Sequence, residues 1–511
     1  MDASQLIARA SMGATVGGLF RSRAAYCRDR IALSDERRSL SYGQLNDRVN
    51  RLANMMAASG IKPGDRIAIL SENRSEYTEV QLACAKAGAI AACQNWRQSD
   101  TELIHCIDLV NPSLLFCSER HLPTIKRLGL ALPRAIVLGD DYETLLAQSS
   151  SREPAAAVSP EDGMLVLYTS GTTGFPKGAL ISHRAMVART ALMYADWRLD
   201  PEDGFVAWSP QFHLSSADLS LATLLQGGKV TIIDGFDPAK LVSALAVERV
   251  SWLVMVPGMT DRTVAELKAR KIVPKGIRLV GAMADLFQPQ QIAELTTLMR
   301  SPFLNSLGAT ETGMAPASKS LIPIGHAPSN VDKQQSSFCE VRLVDENGDE
   351  VPTGEVGEFA LRSATLFSGY WNAQQTNLQD FRNGWFHMGD MGRRNADGTL
   401  SFIDRRKYLI KSGGENIYPA EIERVLMASD RVEEVSVVRQ RDPQWGEVPA
   451  AFVVRRDPSL TPEDVIAMCR GRIAGYKLPK AVHFISAAEL PRSETGKIKR
   501  HELEKRLGTL P

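Results

Sequence analysis

The pattern of hydrophobic and polar positions up to about residue 400 alternates between helical and strand-like segments. Apolar side chains from Leu45 to Met56 recur at helical spacing behind a capping-box sequence that begins at Ser41. Apolar runs at 66–70 and 164–168 are bounded by turn residues, as buried strands are. This alternation predicts an α/β fold built from layers, rather than a helical bundle or a β-sandwich.

The pattern changes twice farther along the chain. Past residue 335 it becomes rich in strands and includes an Asn347-Gly348 hairpin signal. After residue 404 it changes again, to a tail in which two helical and two strand-like segments alternate with turns. The tail has roughly 100 residues, which is an ordinary size for a separate domain. We therefore predict a small α+β domain at the C-terminus.

Composition and charge exclude several classes of protein. Hydrophobic residues make up 44% of the chain and charged residues 23%, which is typical of a globular protein and not of a disordered one. The net charge of +1 gives no general attraction to nucleic acid or to anionic lipid. The seven cysteines are scattered without a Cys-x-x-Cys pair, so we expect reduced thiols and no zinc site. With no signal peptide and no transmembrane segment evident, we expect a cytoplasmic protein.

A loop rich in glycine and hydroxyl residues follows the predicted strand 164–168. The loop runs through Thr169, Ser170, Gly171, Thr172, Thr173, Gly174 and on to Lys177. Glycines let the backbone come close to a ligand, and hydroxyls, amides and an ammonium suit the oxygens of a polyphosphate. Gly178 stands where a Walker A loop needs Ser or Thr, so this is a different phosphate loop. An apolar run follows it, so the loop is predicted to join two strands, with the next helix capped by Ser182.

Further motifs stand at 305–313, 385–390 and 491–498. With them, the whole sequence resembles the adenylate-forming enzymes, which include acyl- and aryl-CoA synthetases, firefly-type luciferases and the adenylation domains of peptide synthetases. The resemblance implies an acid-thiol ligase that uses ATP, Mg²⁺ and coenzyme A and forms an acyl-adenylate. It also implies a layered N-terminal domain with mixed sheets and a small β-barrel-like part over 1–404, a hinge at 405–408 and a mobile α+β lid over 409–511.

The resemblance assigns the ATP site. The loop that starts at Thr169 and ends at Lys177 would hold the phosphates. Thr310 would contact phosphate and take part in catalysis, and Glu311 would bind magnesium, which prefers carboxylate oxygen. Leu307 stands where relatives usually carry an aromatic residue stacked on adenine. Asp390 would accept hydrogen bonds from both ribose hydroxyls, with Arg405 as a second ribose contact.

The resemblance also assigns the acid and coenzyme A sites. His213 would lie beside the substrate carboxylate, where amino-acid-activating relatives usually carry an aspartate, so an α-amino acid is disfavoured. Lys497 would bridge the carboxylate and the α-phosphate, and Lys407 would be the hinge residue. The predicted coenzyme A contacts are Ser412, Gly413, Gly414, Trp445 and Tyr476, although the two aromatic residues also fit a hydrophobic core.

Several alternatives stay open. His213 and Asp218 form a His-x-x-x-x-Asp pattern, as in glycerolipid acyltransferases, where the histidine is a general base. A non-catalytic acyl-adenylate binder and an oxygenating luciferase are further alternatives, and both a monomer and a homodimer are open. The segments predicted to line the acid, at 207–216, 255–260, 280–284 and 305–309, contain no Arg or Lys, which disfavours a dicarboxylate. We expect a medium- or long-chain fatty acid, with aryl and alicyclic acids as the alternatives.

Overall fold

The structure, a computed structural model, describes residues 14–129, 134–169, 175–412, 415–492 and 498–508. Their contacts divide the chain into two compact units. The larger unit extends to Glu340 and also includes Arg362–Gly384, and the smaller unit comprises Val341–Leu361 and the chain from Trp385 onward. The strand-rich segment past residue 340 therefore groups largely with the C-terminal region. The domain boundary at 405–408 stays a prediction.

The larger unit contains three sheets. In the first, β6-β5-β3-β4-β7-β8, five neighbouring strands run parallel and β8 is antiparallel to β7. The other two have the orders β2-β1-β10-β9 and β11-β12-β13-β14. The strands are β1 (Ile31–Ser34), β2 (Ser39–Ser41), β3 (Arg66–Leu70), β4 (Ile90–Cys93), β5 (Leu114–Ser118), β6 (Ala135–Leu138), β7 (Gly163–Thr169), β8 (Lys177–Ser182), β9 (Phe205–Ala207), β10 (Val230–Ile232), β11 (Arg249–Leu253), β12 (Gly276–Val280), β13 (Phe303–Ala309) and β14 (Gly313–Ile322).

Helices connect most of these strands, as the alternating pattern predicts. They are α1 (Val16–Tyr26), α2 (Tyr42–Ala58), α3 (Ser75–Ala87), α4 (Asp100–Val110), α5 (Leu122–Leu128), α6 (Asp140–Ala147), α7 (His183–Trp197), α8 (Leu214–Gln226), α9 (Pro238–Val247), α10 (Pro257–Arg270), α11 (Pro289–Met299) and α12 (Gln374–Asp380). The capping box at the start of α2 is present, with Ser41 and Gln44 each bonding the other's backbone amide. Ser182 caps α7, as predicted, by accepting from the amide of Ala185.

The smaller unit contains two β-sheet regions. In the first, β18 pairs antiparallel with β16 and with β19. The second has the order β21-β20-β23-β22, with β24 alongside β23, and matches the predicted α+β tail. The strands from 339 onward are β15 (Cys339–Val344), β16 (Val356–Ser363), β17 (Phe381–Arg382), β18 (Trp385–Arg394), β19 (Leu400–Arg405), β20 (Ile410–Ser412), β21 (Glu415–Ile417), β22 (Val432–Asp442), β23 (Gly446–Arg455) and β24 (Ala481–Phe484). Its helices are α13 (Pro419–Met427), α14 (Pro462–Cys469) and α15 (Arg500–Arg506).

The state of the cysteines agrees with the prediction of reduced thiols. All seven are free, and only Cys27 is partly exposed, whereas the other six are buried. Burial raises the pKa of the Cys93 thiol to about 11 and that of Cys106 to about 12. Thiols held in this way behave as small hydrophobic side chains. Within the described ranges, no helix has both the length and the apolar character needed to cross a membrane.

Candidate active site

The glycine-rich loop joins two strands, as the sequence predicts. β7 ends at Thr169 and β8 begins at Lys177, and these two residues lie opposite each other in an antiparallel pair. The predicted phosphate contacts Ser170, Gly171, Thr172, Thr173 and Gly174 lie outside the described residues. The pairing of the two strands brings both ends of the loop to one edge of the sheet.

A tyrosine outside all of the predicted motifs links this loop to the predicted magnesium ligand. The Tyr370 hydroxyl donates to Glu311 Oε1 at 2.8 Å. The Lys177 ammonium faces the Tyr370 ring, with Nζ 4.8 Å from the centroid. The backbone around Tyr370 is fixed as well, because the Trp371 amide donates to the Gly178 carbonyl at 2.7 Å. Lys177 and Glu311 therefore share one neighbour.

The turn that carries Thr310 and Glu311 lies between β13 and β14, and its backbone is tightly packed. A Cβ at Gly308 would lie 2.1 Å from the Gly313 carbonyl oxygen, so only glycine fits there. Thr310 and Glu311 are half-buried, and Leu307 is buried in β13. The contact of Leu307 with adenine stays a prediction, as do the phosphate role of Thr310 and the metal role of Glu311.

Asp218, the acid of the alternative acyltransferase pattern, has a different partner. Both of its carboxylate oxygens lie within hydrogen-bond distance of Arg189 Nη1, at 3.1 and 3.4 Å. The two side chains are buried together, with exposed fractions of 0% for Arg189 and 1% for Asp218. A carboxylate that is already paired with a buried guanidinium is poorly suited to orient His213 as a general base. The geometry therefore does not favour the acyltransferase alternative.

His213 stands at the N-terminus of α8 and contacts Ser215, which belongs to a group of three serines joined by their hydroxyls. Its Nδ1 accepts from the Ser215 amide at 3.3 Å and lies 3.0 Å from Ser215 Oγ. Ser209 Oγ lies 2.9 Å from Ser215 Oγ and 2.7 Å from Ser216 Oγ. With Nδ1 as the acceptor of the amide bond, the neutral imidazole carries its proton on Nε2. That nitrogen is then a donor, as a residue beside a substrate carboxylate needs.

The smaller unit brings the two predicted ribose contacts together. Asp390 on β18 and Arg405 on β19 are direct cross-strand partners, and Arg405 Nε lies 3.2 Å from Asp390 Oδ1. Asp390 is buried, whereas the side chain of Arg405 is 42% exposed. The antiparallel register thus produces the pair from positions fifteen residues apart in sequence.

The other predicted residues of the smaller unit are partly described. Trp445 and Tyr476 are 46% and 43% exposed, so neither is a core aromatic. Ser412 is buried at the end of β20, whereas Gly413, Gly414 and the predicted catalytic Lys497 lie outside the described residues. Lys407 has its Nζ 5.1 Å from the Tyr408 ring centroid, and its carbonyl accepts from Arg439 at 2.6 Å. The coenzyme A and hinge roles stay predictions.

A buried lysine lies beside two of the segments that the sequence predicts to line the acid. Lys333 is fully buried, and its ammonium pairs with Asp285, immediately after 280–284. The same ammonium donates to the Val331 carbonyl at 3.1 Å, and Asn305, in the segment 305–309, donates to that carbonyl at 2.7 Å. The predicted segments themselves contain no Arg or Lys, so the sequence gives no sign of this neighbouring cation. Lys333 lies outside the predicted ranges, and its partner is 48 positions away in sequence.

A divalent metal would find one predicted protein ligand in the larger unit. Among the described residues, no three His, Cys, Asp or Glu side chains form a metal-binding group. Magnesium, however, keeps several waters and binds through one or two carboxylates together with substrate phosphates. A single half-buried Glu311, which shares the neighbour Tyr370 with Lys177, fits that mode of binding and does not fit an all-protein metal cage.

Comparisons with known proteins identify the family of this chain. The family model for AMP-binding enzymes matches residues 20–371, and the model for the C-terminal domain of these enzymes matches residues 421–497. A feruloyl-CoA synthase from an Amycolatopsis species is 34% identical over 475 residues, covering 92% of this chain and 94% of that protein. An indoleacetate–CoA ligase from Aromatoleum aromaticum is 32% identical over 493 residues, covering 93% of this chain and 94% of that one.

Solved structures are similar over nearly the whole length. ATP-bound MatB from Rhodopseudomonas palustris superimposes with a TM-score of 0.84 at 26% identity, over 96% of this chain and 99% of that one. The o-succinylbenzoate CoA synthetase of Bacillus subtilis with its acyl-adenylate gives a TM-score of 0.81 at 25% identity, over 95% and 97%. The chain therefore belongs to the family of AMP-binding enzymes, and it is an AMP-forming acid-thiol ligase that uses ATP, Mg²⁺ and coenzyme A.

Proposed function

We propose that this ligase activates aryl carboxylic acids that carry a polar substituent and transfers them to coenzyme A. The acid carboxylate attacks the α-phosphate of ATP and pyrophosphate leaves, and the thiol of coenzyme A then displaces AMP from the acyl-adenylate. The proposal departs from the fatty-acid expectation of the sequence. The observation that carries it is the ion pair between the fully buried Lys333 and the partly exposed Asp285, next to the predicted acid segments.

An ion pair of which one member is fully buried is a poor neighbour for a long alkyl chain. An alkyl tail gains free energy from apolar contacts, about 0.8 kcal/mol for each buried CH₂. It cannot form a hydrogen bond to an ammonium or a carboxylate that has been removed from water. A hydroxyl, methoxyl or carbonyl group on an aromatic ring can hydrogen-bond to such a pair, which favours the polar aryl acid over the alkyl acid.

The names of relatives support the same class. A feruloyl-CoA synthase and an indoleacetate–CoA ligase match this chain over more than nine-tenths of its length. A second candidate class has support of its own, because a fatty acid–[acyl-carrier-protein] ligase from Streptomyces coeruleorubidus is 31% identical over 92% of both chains. Fatty acids are therefore kept as the second candidate.

We further propose roles for the residues of the site. Lys177 and the loop before it bind the phosphates, Thr310 contacts the α-phosphate, and Glu311 holds magnesium. Asp390 and Arg405 bind the ribose. Their support is the shared Tyr370 contact of Lys177 and Glu311 and the direct pairing of Asp390 with Arg405.

The roles of the acid site complete the proposal. His213 donates from Nε2 to the acid carboxylate, and Lys497 neutralises charge as the adenylate forms. Leu307 packs on adenine, Ser412, Gly413 and Gly414 line the pantetheine path, and Trp445 and Tyr476 stack on the nucleotide of coenzyme A. The hinge at Lys407, the cytoplasmic location and the oligomeric state stay predictions.

A panel of acids tests the proposal. Purified enzyme receives ATP, Mg²⁺ and coenzyme A with ferulate, indole-3-acetate, 2-succinylbenzoate, decanoate, palmitate or malonate, and AMP release is measured. We expect kcat/KM for at least one aryl acid to exceed that for decanoate by tenfold or more. A larger kcat/KM for decanoate or palmitate would support the second candidate and contradict the first. Glu311→Gln enzyme serves as the matched control without adenylation.

A further inference from the structure

Arg189 occupies a point where four separate segments of the larger unit meet. It lies on α7, and its guanidinium is fully buried. Nη1 pairs with Asp218 on α8, Nη2 donates to the Thr310 carbonyl at 2.9 Å, and Nε donates to the Thr365 carbonyl at 3.0 Å. The planar guanidinium can hold three partners at fixed angles, which a lysine cannot do.

Each partner leads to a different part of the proposed site. Asp218 belongs to the helix whose N-terminus is His213. Thr310 is itself the proposed phosphate contact and precedes Glu311 in sequence. The segment after Thr365 reaches Tyr370, whose hydroxyl bonds Glu311. One buried side chain is therefore bonded to the acid-binding helix, to the phosphate-binding turn and to the segment that contacts the metal ligand.

The turn is also shaped around this side chain. Gly313 has a φ of +66°, and a Cβ at that position would lie 2.8 Å from Arg189 Cγ and 2.9 Å from its Nε. Any larger residue at 313 would either push the turn away from the guanidinium or displace the guanidinium itself. The close approach of the backbone is thus what allows the bond from Nη2 to the Thr310 carbonyl.

We propose that Arg189 is a positioning residue for adenylation, which holds Thr310 and Glu311 in register with His213. This inference rests on the proposed roles of those three residues. Because the acid carboxylate and the α-phosphate must meet in one geometry, a turn that shifts by about 1 Å costs roughly 100-fold in rate. Arg189 touches no reacting group, so it acts only through the backbone carbonyl that it bonds and the helix that it pairs.

The experiment distinguishes a positioning role of Arg189 in adenylation from an effect on the stability of the fold. In Arg189→Met/Asp218→Leu enzyme both charges are replaced together by apolar side chains, a change that commonly leaves stability unchanged or raises it. Arg189→Lys keeps the charge opposite Asp218 but cannot reach all three partners. The matched control is Lys229→Met/Glu248→Leu, which removes a 2.7 Å ion pair that none of the described residues of the proposed site contacts.

Pyrophosphate exchange measures the first half-reaction, thioester formation from a supplied acyl-adenylate measures the second, and thermal unfolding measures stability. We expect both Arg189 variants to melt within a few degrees of the wild type and to lose roughly tenfold or more in kcat/KM for MgATP. Thioester formation should change less than twofold, as should every rate of the control. Full exchange activity in both Arg189 variants would overturn the inference.

Two other outcomes are informative. If the double variant does not fold, Arg189→Lys decides the matter alone, and unchanged kcat/KM for MgATP in folded Arg189→Lys enzyme would overturn the inference. If both half-reactions fall equally in folded variants, Arg189 has only a structural role and the inference fails. Failure of the wild type to exchange pyrophosphate with any acid would instead contradict the proposed function.

Discussion

The Tyr370 hydroxyl donates to Glu311 while the ring of the same residue faces the Lys177 ammonium, at distances of 2.8 Å and 4.8 Å respectively. Tyr370→Phe would remove the hydrogen bond and keep the ring. A hydrogen bond to a charged group contributes about 1.5–3 kcal/mol. We therefore expect the apparent KM for MgATP to rise about tenfold, with little change in the KM for the acid, as measured by pyrophosphate exchange at several magnesium concentrations.

Tyr142→Phe is the control for this change. The Tyr142 hydroxyl donates to Glu79, a buried carboxylate, at 2.6 Å, so the variant loses the same kind of bond. Its KM for MgATP should stay at the wild-type value even if its stability falls. An equal rise in both variants would mean that Tyr370 acts on stability and not on the metal site.

Lys497→Ala tests the proposed catalytic lysine. Removing a cation placed against developing negative charge costs about 3–4 kcal/mol of transition-state stabilisation, by analogy with the loss of an oxyanion-hole donor. We expect adenylation to fall by at least 100-fold while thioester formation from a supplied acyl-adenylate persists. The two half-reactions are measured separately by pyrophosphate exchange and by thiol consumption. Wild-type exchange rates in the variant would contradict the assignment.

The sequence predicted the helices and strands of the fold well because the patterns that indicate them, apolar spacing and turn residues, are local. The strand at Arg66–Leu70 has the predicted bounds, because the apolar run and the turn residues that flank it lie within a few positions of each other. The loop between Thr169 and Lys177 was also identified correctly as a link between two strands, because the apolar runs on its two sides are unmistakable.

The side chains that tie the candidate site together could not be predicted in this way. Tyr370 bonds a residue 59 positions away, and Arg189 bonds Thr310 from a distance of 121 positions. Such contacts follow from how strands and helices pack, and no spacing along the chain encodes them. Arg189 in particular sits in an ordinary helical stretch of the sequence, where an arginine would be expected at the surface.

Lys333→Met tests the proposed class of acid substrate at the residue from which that class was inferred. The variant places an apolar side chain of similar length beside Asp285, and Asp285→Asn in the same chain removes the charge left behind. We expect the double variant to lose about tenfold in kcat/KM for hydroxylated aryl acids relative to decanoate. The ratio of the two kcat/KM values is the measurement, so a general loss of activity does not affect it. An unchanged ratio would place Lys333 away from the acid.

His183 makes stability depend on pH. Burial lowers the pKa of this histidine to about 4, and its Nδ1 accepts from the Val16 amide at 3.2 Å. In the unfolded chain the imidazole binds a proton below about pH 6.5. The folded state therefore loses stability as the pH falls from about 6.5 to about 4, by roughly 3 kcal/mol in total. Above pH 7 this contribution is fully present.

His183→Asn removes the titrating group and keeps an acceptor for the Val16 amide. We expect urea unfolding of the variant between pH 7 and pH 4 to show a free-energy change smaller by roughly 3 kcal/mol than that of the wild type. The measurement is a series of urea titrations at half-unit steps of pH. Parallel pH profiles for the two proteins would mean that His183 is protonated in the native state.

The placement of the thiols has a practical consequence. Six cysteines are buried, and only Cys27 has partial access to solvent. A maleimide dye added to the native enzyme should therefore attach first at Cys27, near the end of α1. Cys27 can therefore carry a single fluorescent reporter on the larger unit without prior substitution of the other cysteines.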